Sequence, residues 1–166
     1  MLRHIVALNC SCNHVPGGCE GDSPQVRWLR RDLSAHRSRC TLAYMHHPLF
    51  SSGYHGAIPD KSKTFWRVLY NSDADVVLAG HDYDYERFAK QSPTGKRRPK
   101  QGICSFVVGT GGTELTPFSA AKPNTQDRFR EHGVLQLRLH PGSYSWKFIP
   151  VEDNKKFIDS GSDSGH

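Results

Sequence analysis

Two stretches decide the fold: Thr41-Leu42-Ala43-Tyr44-Met45-His46-His47-Pro48 and Val76-Val77-Leu78-Ala79-Gly80-His81-Asp82-Tyr83. Each is a short apolar run that ends abruptly in histidine. A strand buried on both faces reads this way, and a polar residue at its end lies at the rim of the sheet. Between them, Lys61–Asn71 carries Phe65, Val68 and Leu69 at helical spacing. Strand, helix, strand predicts two parallel strands joined by a right-handed crossover. That order brings both imidazoles to one edge.

Upstream, His4–Leu8 reads as a first buried strand and Asn9–Asp22 as a loop holding Pro16, Gly17, Gly18 and Gly21. Ser23-Pro24 is a helix cap followed by proline at the first helical position. The helix is expected from Pro24 to about Ala35, with Val26, Leu29 and Leu33 inward and Trp28 beside them. The loop from His46 to Asp60 is too long for a plain connection, which marks it as functional. Downstream, Asp82–Gly102 looks irregular and basic. Ile103–Val108 reads as a strand entering Gly109-Thr110-Gly111-Gly112, and Glu114–Glu131 as a second long loop. Alternation over Gly133–Leu139 and Tyr144–Pro150, around the turn Pro141-Gly142, predicts an antiparallel hairpin. Lys155–Ile158 is a candidate edge strand. The class is α/β, parallel strands followed by a hairpin, with one domain over residues 1–158 and a disordered Ser/Gly/Asp tail over residues 159–166.

Bulk properties narrow the function. The chain has 166 residues, 36% of them hydrophobic, with a mean hydropathy of −0.61. No apolar run approaches the roughly 20 residues of a membrane span, so no membrane partner is expected. Met1-Leu2-Arg3-His4-Ile5-Val6 lacks the apolar core of a signal peptide, which predicts a cytosolic protein or one whose leader lies upstream. The net charge of +6 and pI of about 9.2 fit nucleic acid or small anionic substrates such as phosphate esters. Lys90, Lys96, Arg97, Arg98 and Lys100 supply much of the excess, without an aromatic residue among them for base stacking. A solvated loop accounts for them, and nucleic acid ranks last. Of five cysteines, Cys10, Cys12 and Cys19 cluster in the first loop. Their spacing is a poor match to a zinc ribbon. A Cys12–Cys19 disulfide fits an exported protein, and the spacing alone does not fix the connectivity.

The chemistry rests on His46 and His81. In open α/β sheets, ligands bind at the carboxyl ends of strands, and imidazole suits zinc, iron and manganese. One such histidine more often caps a turn, whereas two on neighbouring strands favour a metal. Gly109-Thr110-Gly111-Gly112 invites comparison with a phosphate loop, but it lacks the Lys-Ser/Thr that completes one and reads better as a tight turn. Asp84, Glu86 and Arg87 fit either acid/base work or an interior ion pair bracing the histidine loop.

His46-His47-Pro48-Leu49-Phe50-Ser51-Ser52-Gly53 and Gly80-His81-Asp82-Tyr83-Asp84-Tyr85-Glu86-Arg87 resemble the two C-terminal signatures of the calcineurin-like metallophosphoesterases, in the purple acid phosphatase branch. Phe106–Gly112 and the hairpin resemble the same branch. The resemblance implies the C-terminal half of that fold: a partial two-layer β-sandwich flanked by helices. It also implies a metal-dependent phosphoesterase in which a dinuclear centre of iron, zinc or manganese hydrolyses phosphate esters through an activated hydroxide. His46 and His81 match two ligands of one ion. His55 matches a substrate-facing catalytic histidine, and His47 and Asp82 are candidates for a supporting role or for metal contact. Tyr83 stands where the family has the histidine that ligates the other ion. The family's N-terminal motifs, Asp-x-His, Gly-Asp and Gly-Asn-His-Glu/Asp, have no counterpart, and Asn9, Asp22 and Asp32 lack the spacing to replace them. The expectation is therefore one ion or none and weak or absent activity alone. The partners expected are a missing N-terminal half or a second copy. The alternative is a non-catalytic relative that serves as a binding module with at most one ion.

Overall fold

The computed structural model describes residues 3–151 and 158–166. Its core is a six-stranded sheet in the order β1-β2-β3-β5-β4-β6. Strands β1 (His4–Ala7), β2 (Thr41–Met45), β3 (Val76–Ala79) and β5 (Ile103–Val108) run parallel. Strand β4 (Tyr85–Gln91) lies antiparallel between β5 and β6 (Thr125–Phe129). A second sheet of three antiparallel strands holds β7 (Gly133–His140), β8 (Ser143–Pro150) and β9 (Ser160–Ser164). Helices α1 (Pro24–Ala35) and α2 (Pro59–Asn71) complete the fold.

Alternation along each strand sorts its side chains into two cores. Val6, Ala43, Met45, Val77 and Ile103 face the helices and pack with Leu29, Phe65, Trp66 and Leu69. Leu42, Val76, Cys104 and Phe106 face the second sheet and pack with Tyr144 and Phe148. The layers are thus helices, sheet, sheet: the sandwich flanked by helices that the sequence predicts. Helix α1 starts as its residues dictate, with the Ser23 side chain accepting from the Val26 N–H and proline in the first turn.

Three expectations need correction. Residues 82–102 are not irregular throughout, because Tyr85–Gln91 forms β4. Likewise, the long loop over residues 114–131 contains β6. The tail is not disordered: Ser160–Ser164 pairs along β8. What orders it is polar. The Asp159 carboxylate accepts from the Tyr85 hydroxyl at 2.6 Å, Arg87 Nε at 2.6 Å and Trp146 Nε1 at 3.2 Å. Lys90 Nζ donates to the Ser164 carbonyl at 2.9 Å, and Gly161 leaves room for the Trp146 ring, which a Cβ would meet at 2.5 Å. The edge strand expected over residues 155–158 falls largely outside the described residues. Cys12 and Cys19 form a disulfide, and Cys10, Cys40 and Cys104 are free and buried.

Candidate metal centre

His46 follows the last residue of β2, and His81 follows β3 by one glycine. The strands pair Met45 with Ala79, and the Gly80 N–H donates to the His46 carbonyl at 3.1 Å. The pairing thus runs one rung past the strands and delivers both residues at the same level. His81 has φ +71°, a left-handed backbone that histidine adopts more readily than most residues. Just beyond it, the Asp82 N–H closes a tight turn on the Gly80 carbonyl at 2.9 Å.

The imidazoles meet. Ring centroids lie 5.3 Å apart for His46 and His81, 4.7 Å for His46 and His47, and 5.0 Å for His47 and His81. One ring nitrogen from each lies within 4.8 Å of the others. His46 is exposed, His47 buried and His81 intermediate, so the group opens to solvent on one side. The His55 ring lies 5.7 Å from His81 and 5.1 Å from the Tyr83 ring.

His47 is held more firmly than its neighbours. Its Nε2 accepts from Lys61 Nζ at 3.4 Å, so its Nδ1–H faces Cys10 Sγ at 3.0 Å. The Cys10 sulfur also accepts the His47 backbone N–H at 3.2 Å. Burial first, then the charge of Lys61 and the neighbouring rings, lowers the His47 pKa to about 4. Burial also lowers that of His81, against the opposing charge of Asp82. Neutral imidazole is the form that binds a metal. His47 therefore stands inside the cluster as a third donor, and an ion taken by all three rings would displace Lys61 from it.

The carboxylates turn the other way. Asp82 accepts the backbone N–H groups of His55 at 2.7 Å and Gly56 at 3.2 Å, and the Ser51 hydroxyl donates to its second oxygen. Glu86 accepts from Ser52 N and Oγ, both at 2.6 Å, and from Thr125 Oγ1 at 2.8 Å. Asp84 is fully buried with neither oxygen paired, and burial followed by the charges of Asp82 and Glu86 pushes its pKa up to about 8. Asp82 and Glu86 brace the loop from Ser51 to Gly56, and with it His55. Arg87 takes no part: alternation along β4 sends it to the opposite face, onto Asp127 and Asp159. Gly109 sits against this turn, where a Cβ would come within 1.8 Å of the Asp82 carbonyl oxygen. The Thr110 hydroxyl donates to the Gly133 carbonyl at 2.8 Å. The glycine-rich run is thus a packing turn.

Sequence reasoning singled out His46, His81, His55, His47, Asp82 and Tyr83, and the structure brings all six to one end of the sheet. Two contributors, Lys61 and Cys10, went unmarked. Lys61 lies in the first turns of α2, and only the packing of that helix shows that its ammonium reaches the rim. Cys10 carried no signal beyond its place after β1.

No protein-family model matches the chain. Purple acid phosphatase 21 of Arabidopsis thaliana is 30% identical over 139 residues, 76% of this chain and 31% of that protein. Purple acid phosphatase 22 is 30% identical over 158 residues, 86% of this chain and 34% of that protein. The Fe(3+)-Zn(2+) purple acid phosphatase 12 is 28% identical over 149 residues. Among solved structures, a purple acid phosphatase from yellow lupin (Lupinus luteus) seeds superposes with a TM-score of 0.77 at 17% identity, over 87% of this chain and 29% of the other. GAP50, the anchor in the inner membrane complex of Plasmodium, gives 0.70 at 14% identity. The fold is that of part of a metallophosphoesterase. More narrowly, the chain is a relative of the purple acid phosphatases and spans about a third of the length of the curated relatives it matches.

Proposed function

We propose that this chain is the C-terminal portion of a metal-dependent phosphoesterase. In this reading it holds one divalent ion through His46 and His81, with His47 as a third donor, and its substrates are phosphomonoesters. The observation that carries the reading is the convergence of the three imidazoles at the carboxyl ends of β2 and β3. Three neutral nitrogen donors fit a zinc-like ion with an open position. They do not fit a pair of ions, which needs a bridging carboxylate, because Asp82 is engaged by its own loop and Tyr83 offers a phenol.

An ion bound here would polarise a phosphoryl oxygen and acidify a bound water. The chain's own residues do the rest. Lys61 adds positive charge beside the rings for an anionic ester. His55, held through its backbone by Asp82, faces the same opening and is placed to give a proton to the leaving oxygen. The ligands of a second ion would come from a further segment packed on the uncovered part of the sheet. The Cys12–Cys19 disulfide supports an oxidising compartment.

Zinc, manganese or iron titrated into the full chain tests this reading, with turnover of p-nitrophenyl phosphate followed in parallel. The expected result is one equivalent of metal at this rim, lost from the total in His46→Ala/His81→Ala, together with weak turnover. If zinc binding were indifferent to both substitutions, the reading would fall. Metal binding at these residues with no turnover would favour the alternative of a non-catalytic binding module, as Tyr83 and the averted carboxylates already do.

A further inference from the structure

A second group of metal-type donors gathers at the opposite end of the parallel strands. His4 opens β1 and pairs in register with Thr41, the first residue of β2. Asp32 lies in the last turn of α1, and His36 caps that helix. His4 Nε2 is 2.8 Å from one Asp32 oxygen, and His36 Nδ1 is 3.1 Å from the other. His36 Nδ1 is also 3.0 Å from the Asp32 carbonyl. The imidazole centroids are 5.5 Å apart, and one ligand atom from each of the three residues lies within 4.8 Å of the others.

We propose that His4, Asp32 and His36 form a separate site for a divalent transition ion such as zinc, which clamps the start of β1 to the end of α1. Two imidazoles and a carboxylate are a zinc ligand set that leaves a fourth position for water. Bonds of about 2.0–2.1 Å put the ligands of a tetrahedral ion roughly 3.3 Å apart. The observed contacts are shorter than that by a few tenths of an ångström, so small side-chain rotations admit the ion. His4 and Asp32 are only 15% and 18% exposed, while His36 is 59% exposed. The site is thus sheltered on two sides and open on the third. The clamp also has a task, because β1 is the edge of the six-stranded sheet and, among the described strands, hydrogen-bonds to β2 alone.

The rival is a hydrogen-bonded His–Asp–His staple that needs no metal, and zinc binding separates the two. Competition with a chromophoric zinc chelator should find two equivalents on the wild-type chain. The His46→Ala/His81→Ala variant, which removes the other cluster, should keep one. Adding Asp32→Asn, or His36→Gln at the exposed position, should weaken that remaining equivalent at least about tenfold, with circular dichroism unchanged. Cobalt in place of zinc should give the intense visible bands of a four-coordinate ion in the double variant and lose them with Asp32→Asn. The proposal is overturned if the double variant binds no zinc, or if its zinc affinity is unmoved by both further substitutions.

Discussion

Gly109 shows how tightly the turn after His81 is built. A methyl group there would overlap the Asp82 carbonyl oxygen, so Gly109→Ala must push that turn away from β5. Overpacking of this kind costs about 1–3 kcal/mol, and the displaced turn carries His81. The expected outcome is a lower denaturation midpoint together with weaker zinc binding at the histidine rim. Asp84 carries the opposite kind of strain. Its folded pKa of about 8 lies well above the ordinary carboxylate value of 3.8. The fold is therefore least penalised below about pH 4, and it loses stability as pH rises toward 8 while the unfolded chain ionises and the folded chain resists. Asp84→Asn removes this dependence. The metal-free variant should gain on the order of 1–4 kcal/mol at pH 7, given about 1.4 kcal/mol per pKa unit, and little at pH 4. Urea denaturation across that range measures the difference, and an equal change at both pH values would mean that Asp84 is not protonated in the fold.

At the scale of elements, the strands legible in the sequence were those rich in apolar residues: β2, β3, β5, the hairpin, and β1, which is an edge that buries Val6 and leaves Ile5 exposed rather than the buried strand expected. The ones that escaped, β4, β6 and β9, are polar, and distant partners hold them. Tyr85-Glu86-Arg87-Phe88 alternates between two different polar networks, so no apolar stripe announces a strand. Ser160-Gly161-Ser162-Asp163-Ser164 reads as a loose tail until Tyr85, Arg87 and Trp146 are found converging on Asp159. The same logic governs the site. Histidines at strand ends were visible, but the reach of Lys61 depends on how α2 packs. Asp159→Ala should cost about 1–3 kcal/mol, because it leaves the buried Tyr85 hydroxyl without its acceptor and Arg87 with Asp127 as its remaining carboxylate, and it should release β9 to protease. Beyond β9, His166 Nδ1 pairs with the buried Asp75 carboxylate at 2.9 Å, and that contact raises the His166 pKa. This pair contributes fully below the unfolded histidine value of about 6.5 and fades as pH rises through the higher folded value. Hydrogen exchange in β9 should accelerate over that interval by more than the intrinsic rate, and His166→Gln should remove the excess.

In the whole molecule, the three layers are not equally covered. The second sheet covers Leu42 of β2, Val76 of β3, and β4 and β5, and it leaves the β1 end of the large sheet, with Ile5 and Tyr44, bare. Ile5 is 60% exposed, Tyr44 48% and Val134 60%. Between the sheets, a hollow of about 410 Å³ is lined by Tyr44, Leu78, Val108, Val134 and Leu135 among others. Among the described residues no strand pairs with the outer side of β1, and an open strand edge beside exposed apolar side chains is a template for association. In a longer chain, a further segment would cover this face; alone, a second copy is the ready substitute. Light scattering at micromolar concentration should therefore find dimers or larger species, and Ile5→Lys with Tyr44→Glu should return monomers without loss of secondary structure. A monodisperse wild-type monomer would mean that the bare face is stable in water as it stands, and the inference that another segment belongs there would fail.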